Sequence, residues 1–244
     1  MKKLYDKSRL TFSIIWIVAY CVLMSIGDAI SDKIGITNAV TLPVALLLSA
    51  VLFAFIKRNR LSKEYGLCRS EVLASKMLFY LPLAVMMGAN LFSGFALKLS
   101  PAETALYILT MFCVGFLEEV IFRGLLFKAM AENGIKSAVI VSSISFGMGH
   151  IINLLNGSGA ELLPNILQII YATGAGFMFV MIFHKTGSLI PCIVAHGIFN
   201  ALSVFADESA LTVNQRIISC VFLLIISGGY GAYIAVKVNS NKKQ

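Results

Sequence analysis

The sequence predicts an all-α polytopic membrane bundle of about eight transmembrane helices, with N- and C-termini on the cytoplasmic side. Three observations carry that expectation. Of 244 residues, 58% are hydrophobic and only 13% are charged, where a soluble domain carries about 25% charged residues. Apolar stretches close to the ~20 residues that cross a hydrocarbon core recur along the chain. The basic residues gather in alternate breaks between those stretches, as cytoplasmic loops require. No alternation runs long enough for a membrane barrel, so helices, which pair their own backbone groups, are the spanning element.

The eight stretches are roughly 10–27, 36–56, 75–97, 102–119, 137–156, 162–183, 187–206 and 213–236, with ends good to about ±2–4 residues. Polar or turn-forming residues separate them: 28–35, 57–69, 98–101, Asn156-Gly157-Ser158-Gly159, His184-Lys185-Thr186-Gly187 and Asp207-Glu208-Ser209. Residues 120–136 either extend the fourth helix or lie at the interface. The basic N-terminus ahead of an apolar run resembles a signal peptide, but no small-residue cleavage site follows, and the run reads as a retained first helix. With both ends inside, seventeen Lys and Arg fall on the cytoplasmic side, Lys242 and Lys243 in the tail among them. Only Lys33, Lys98 and Arg216 fall opposite. The net charge of +8 is thus topological, and the partners expected are the lipid bilayer and no nucleic acid. Five scattered cysteines without a Cys-x-x-Cys pair exclude a disulfide framework or a cysteine metal site. The chain reads as one integral membrane domain, 1–244.

Ionisable residues inside a bilayer are costly and mark function. Ten of the 12 acidic residues fall in tails, loops or span edges; Glu118 and Glu119 do not. Arg123, four residues after Glu119, shares its helical face and suits an ion pair, while Glu118 points about a quarter-turn away. His150 and His196 lie inside spans, and His184 borders a loop. His196 and Asn200 are four apart, as are Phe146 and His150. Gly147 and Gly149 strip bulk from around His150, and Ala172, Gly174, Ala175 and Gly176 offer another close-packing surface. By the rise of a helix, Glu118 falls near the cytoplasmic face, His196 at mid-depth and His150 about 20 Å into its span.

A carboxylate, two imidazoles and a carboxamide suit amide hydrolysis. Glu118 can act as general base on water, and His196 with Asn200 can donate to the developing oxyanion. Alternatively, Glu118, His150 and His196 can ligate Zn²⁺, which favours this donor set and acidifies bound water. Each group also has a structural reading: a charged helix end with Arg123 snorkelling, or interhelical hydrogen bonds from the histidines.

In chain order stand Glu118-Glu119-Val120-Ile121-Phe122-Arg123, then Phe146-Gly147-Met148-Gly149-His150, then His196-Gly197-Ile198-Phe199-Asn200. This series resembles the CPBP family of intramembrane proteases, which includes type II CAAX prenyl endopeptidases and bacterial Abi-type proteins linked to bacteriocin processing or self-immunity. The likeness spans about 100–205, the protease-like core, and takes in Phe122-Arg123-Gly124 and Thr186-Gly187-Ser188-Leu189. It implies Glu118 as the catalytic carboxylate, His150 as its partner on water, His196 and Asn200 completing the site, and Glu119 with Arg123 supporting it. By the same likeness the mechanism is either metal-dependent, with Zn²⁺, or a metal-free glutamate one.

The function expected is therefore an intramembrane endopeptidase acting on a peptide or membrane-protein substrate in a bacterial plasma membrane. The alternative is a non-catalytic bacteriocin self-immunity or scaffold protein. A proton-coupled transporter ranks last, because no internal repeat appears.

Overall fold

A computed structural model describes residues 1–154, 161–207 and 211–238. The expected break at Asn156-Gly157-Ser158-Gly159, residues Glu208 and Ser209 of the next break, and Lys242 and Lys243 of the tail lie outside the described residues. The helices are α1 (Lys2–Lys7), α2 (Arg9–Ile34), α3 (Thr41–Arg58), α4 (Leu81–Gly88), α5 (Pro101–Glu118), α6 (Lys128–Ala131), α7 (Ile135–Gly149), α8 (Leu162–Thr186), α9 (Ile190–Leu202) and α10 (Val213–Lys237). Among the described residues no β-strand forms; a lone bridge joins Phe95 to Ala206.

Among the described residues, seven helical segments are long and apolar enough to cross a membrane, and one more apolar helix is shorter. The expected span 187–206 is the shorter helix Ile190–Phe205. At ~1.5 Å per residue it falls short of a ~30 Å core. It starts late because Gly187 takes a left-handed φ of 68° and turns the chain between α8 and α9. The expected span 75–97 is broken. A 3-10 segment, Ala74–Tyr80, precedes α4, and Leu78, Phe79 and Tyr80 sit at φ near +50 to +58°. Pro82 cannot donate to the Leu78 carbonyl and its ring crowds that turn. Tyr230 on α10 donates to the Met77 carbonyl at 2.5 Å, satisfying a group freed by the break.

Two boundary corrections shape the site. α2 runs on to Ile34, so Asp28 is a helix-interior residue and not part of a loop. Of residues 120–136, those up to Ala131 extend the fourth helix: α5 continues without interruption through a π-helical stretch, Glu119–Phe127, into α6, and α7 begins at Ile135. The two glutamates therefore occupy the middle of Pro101–Ala131 and not its end. The buried core lines its inward face with Leu117, Val120, Ile121 and Leu125. Val18, Leu47, Leu109, Ile140, Ile218 and Ile225 cover the outside with exposed apolar surface, which lipid accepts and water does not.

At one end of the bundle the basic segments converge. Arg9 pairs with Glu64 at 2.5 Å and with Glu132 at 3.3 Å. The loop after α3 is sewn to the α8–α9 turn by Glu71 N–H to the Thr186 carbonyl and Leu189 N–H to the Gly66 carbonyl. This stitching sets where α9 begins, and so the height of His196.

Candidate active site

Small residues let two helices meet just beside the charged groups. A Cβ on Gly115 of α5 would lie 2.8 Å from the Gly197 nitrogen of α9, and one on Gly197 would lie 2.7 Å from the Phe112 ring. Gly115 is one turn before Glu119, and Gly197 directly follows His196. Backbone contact there brings the two side chains into reach, as small residues do between membrane helices.

The result is a buried chain of charge. Arg123 Nη1 lies 3.0 Å from Glu119 Oε1, and both side chains are fully buried. The same carboxylate oxygen lies 2.9 Å from His196 Nδ1. A carboxylate paired with arginine only accepts hydrogen bonds, so Nδ1 carries the proton and donates. That leaves Nε2 facing Glu118 Oε2 at 3.5 Å. Both glutamates therefore address one imidazole, each at its own ring nitrogen, which the expected quarter-turn between them allows.

Aromatic rings hold the cluster from the sides. The Arg123 guanidinium lies over the Phe146 ring at 3.9 Å. Its contact with Glu119 is close but poorly aligned, for no guanidinium nitrogen makes a hydrogen bond among the described residues. Phe146 also meets His150 and His196 edge-on, at centroid distances of 5.7 and 5.5 Å. Phe179 of α8 stacks on His196. The motif phenylalanine is thus the partition between three charged or polar groups.

Tyr20 of α2 donates to Glu118 Oε1 at 2.6 Å. Sequence reasoning missed it, although a tyrosine deep in an apolar span needs a hydrogen-bond partner. Glu118 Oε2 makes no hydrogen bond within the described protein.

His150 and Phe146 stand between two cavities. One, of about 150 Å³, is lined by Glu118, Tyr20 and His150; the other, of about 40 Å³, by His150, His196 and Asn200. Because the glutamates sit at mid-helix and α9 is short, the depth disagreement expected for Glu118, His150 and His196 does not arise. Glu118, Glu119, Arg123 and His196 touch one another; His150 faces Glu118 across one cavity and Asn200 across the other. Gly147 lets another helix approach, as its lack of bulk suggests. Its hydrogen atom faces α8, where a Cβ would meet Thr173 Oγ1 at 2.0 Å and the Ile169 carbonyl at 2.8 Å. Gly176 similarly leaves room for Ser143 and Arg123.

As a metal site the arrangement is incomplete. Glu118 and His196 present two donors, yet among the described residues no three His, Cys, Asp or Glu side chains group closely enough to hold an ion. The Glu118, His150 and His196 set does not fit Zn²⁺ as it stands.

Residues 100–202 match the family model described as type II CAAX prenyl endopeptidase Rce1-like. Comparison with curated proteins and with solved structures gives no match.

Proposed function

From residues 100–202, which belong to the CPBP family of intramembrane proteases, a family of membrane endopeptidases, we propose that this multi-pass membrane protein hydrolyses a peptide bond in a membrane-associated protein or peptide. The observation that carries the reading is the shared contact of Glu118 and Glu119 on His196. A buried acid pair on one oriented imidazole has more parts than helix packing needs.

Glu118 is the general base. Tyr20 holds one of its oxygens, and the other takes a proton from water as that water attacks the carbonyl carbon. The tetrahedral oxyanion forms on the side of His196 and Asn200. Proton transfer from Glu118 to Nε2 makes His196 an imidazolium, clamped at Nδ1 by Glu119 and able to donate to the oxyanion with the Asn200 amide. Collapse breaks the C–N bond, and the proton from water passes to the leaving amine. One water is consumed, one C–O bond forms and one C–N bond breaks. Arg123 keeps Glu119 ionised-side toward the imidazole, and His150 steadies the water across the cavity from Glu118. No step is routed through a metal.

Substrate approaches from the apolar side. A larger cavity of about 660 Å³ shares Gln168, Tyr171 and Leu223 with the His196 cavity, and its mixed walls suit an extended apolar peptide segment. A bacterial plasma membrane is the proposed setting. The test is cleavage of a quenched-fluorescence peptide library by the purified chain in nanodiscs. Glu118→Ala and Glu118→Gln, folded as the wild type, are expected to lose cleavage by at least ~100-fold. Equal cleavage by wild type and variants sinks the proposal.

A further inference from the structure

The cavity on the Glu118 side, unlike the one beside His196, reaches the α2–α3 turn. Along α2 it is lined by Tyr20, Cys21, Met24, Ser25 and Asp28, positions that recur on one helical face and span about 12 Å by the helix rise. Its far end is the turn into α3. There Asp28 accepts from Thr41 Oγ1 at 2.7 Å, and Asn38, at φ 58°, also lines the wall. Asn38 is 8% exposed, yet its Nδ2 makes no hydrogen bond within the described protein. At the near end Glu118 Oε2 makes no hydrogen bond and has His196 Nε2 3.5 Å away. A buried amide donor such as that of Asn38 is costly to leave unpaired. A cavity of about 150 Å³ with these polar groups on its wall has room for several waters, each taking ~30 Å³ in the liquid.

The cavity beside His196 is smaller, about 40 Å³, and sets Phe146, Phe179 and Phe199 beside His150, His196 and Asn200. Hydrolysis within a bundle needs room for substrate and a separate supply of water to the base. We propose that the α2 cavity is a dedicated water conduit, which delivers the hydrolytic water to Glu118 from the α2–α3 turn while substrate occupies the opposite cavity. Asn38 and Asp28 are its positioning residues, and the Phe146–His150 pair stands between the conduit and the substrate cavity. The catalytic part of this inference rests on Glu118 acting as base; the presence of water in the conduit does not.

Cys21 is a native reporter on the conduit wall. The experiment uses the full chain in nanodiscs with Cys68, Cys113, Cys192 and Cys220 replaced by Ser or Ala, checked for unchanged unfolding temperature. Modification of Cys21 by 2-aminoethyl methanethiosulfonate, a small charged reagent that travels in water, is followed by mass spectrometry. Cys21 is expected to react in the parent and in Ser25→Ala. It is expected to react roughly tenfold or more slowly in Ser25→Leu, which plugs the conduit. Peptide turnover falls with it, by a similar factor in kcat with KM unchanged, since displacing a reactant by even 1 Å can cost far more. A Cys21 that is inert in the parent, or equally reactive in Ser25→Leu, overturns the conduit even if the protein cleaves peptides. Reactivity that Ser25→Leu abolishes, in a chain that cleaves nothing, supports the conduit and overturns the protease reading alone.

Discussion

Replacing Arg123 with Met leaves the Glu119 carboxylate in a site with no solvent exposure and without its counter-ion at 3.0 Å. At an effective dielectric of about 20, that contact is worth roughly 5–6 kcal/mol before desolvation is subtracted. Breaking one side of a buried pair costs about 3–5 kcal/mol, because the remaining charge stays uncompensated. Arg123→Met also forfeits the stacking on Phe146, about 2 kcal/mol for a desolvated cation over a ring. Glu119→Gln strands the guanidinium instead. The double variant removes both charges, keeps a carbonyl oxygen for His196 Nδ1, and is expected to recover at least ~2 kcal/mol relative to either single change. On the scaling of 2–4 °C per kcal/mol for a chain of this size, each single variant should unfold on the order of 10 °C below wild type, with the double well above both. Trp16, the sole tryptophan, is buried on α2 against Phe12, so its fluorescence on heating in detergent follows the transition. Wild-type unfolding temperatures in both single variants, or a double variant no better than the worse single, would refute the buried-pair reasoning.

Tyr20→Phe removes the 2.6 Å hydrogen bond to Glu118; a bond to a charged group is worth about 1.5–3 kcal/mol, and kcat for peptide cleavage is expected to drop roughly tenfold or more with the fold intact. Gly115→Ala pushes against the Gly197 backbone at 2.8 Å. Overpacking of this kind costs about 1–3 kcal/mol, and because it displaces α9 it should lower activity more than an alanine at Gly228, which has open space around it. Chelation with 1,10-phenanthroline is expected to leave cleavage unchanged, as a carboxylate base with two metal donors predicts; loss of activity restored by Zn²⁺ would show that a further ligand joins Glu118 and His196.

The class of fold was readable because lipid imposes a crude rule: long apolar runs and segregated basic residues. That rule registers hydrophobic length and not backbone regularity. It therefore reads 75–97 and 187–206 as regular spans, whereas a break ahead of Pro82 interrupts the first, which still counts as a span at Ala74–Ser93, and the Gly187 turn shortens the second. Glu118, Glu119, Arg123, His150, His196 and Asn200 stood out by the same logic, since each is expensive in an apolar helix.

Which of them meet was decided by packing. A helical wheel puts Glu118 a quarter-turn from Glu119, and the Gly115–Gly197 contact brings in His196 so that each carboxylate reaches its own ring nitrogen. Tyr20 lies 98 residues from Glu118 on a helix with no motif, Asp28 reads as part of a loop, and Asn38 falls inside the expected span 36–56 instead of the turn that it occupies. Periodicity along a chain reports the face on which a side chain lies. It carries no information on which distant helix turns a matching face toward it, and the two cavities that flank Phe146 and His150 exist only between helices.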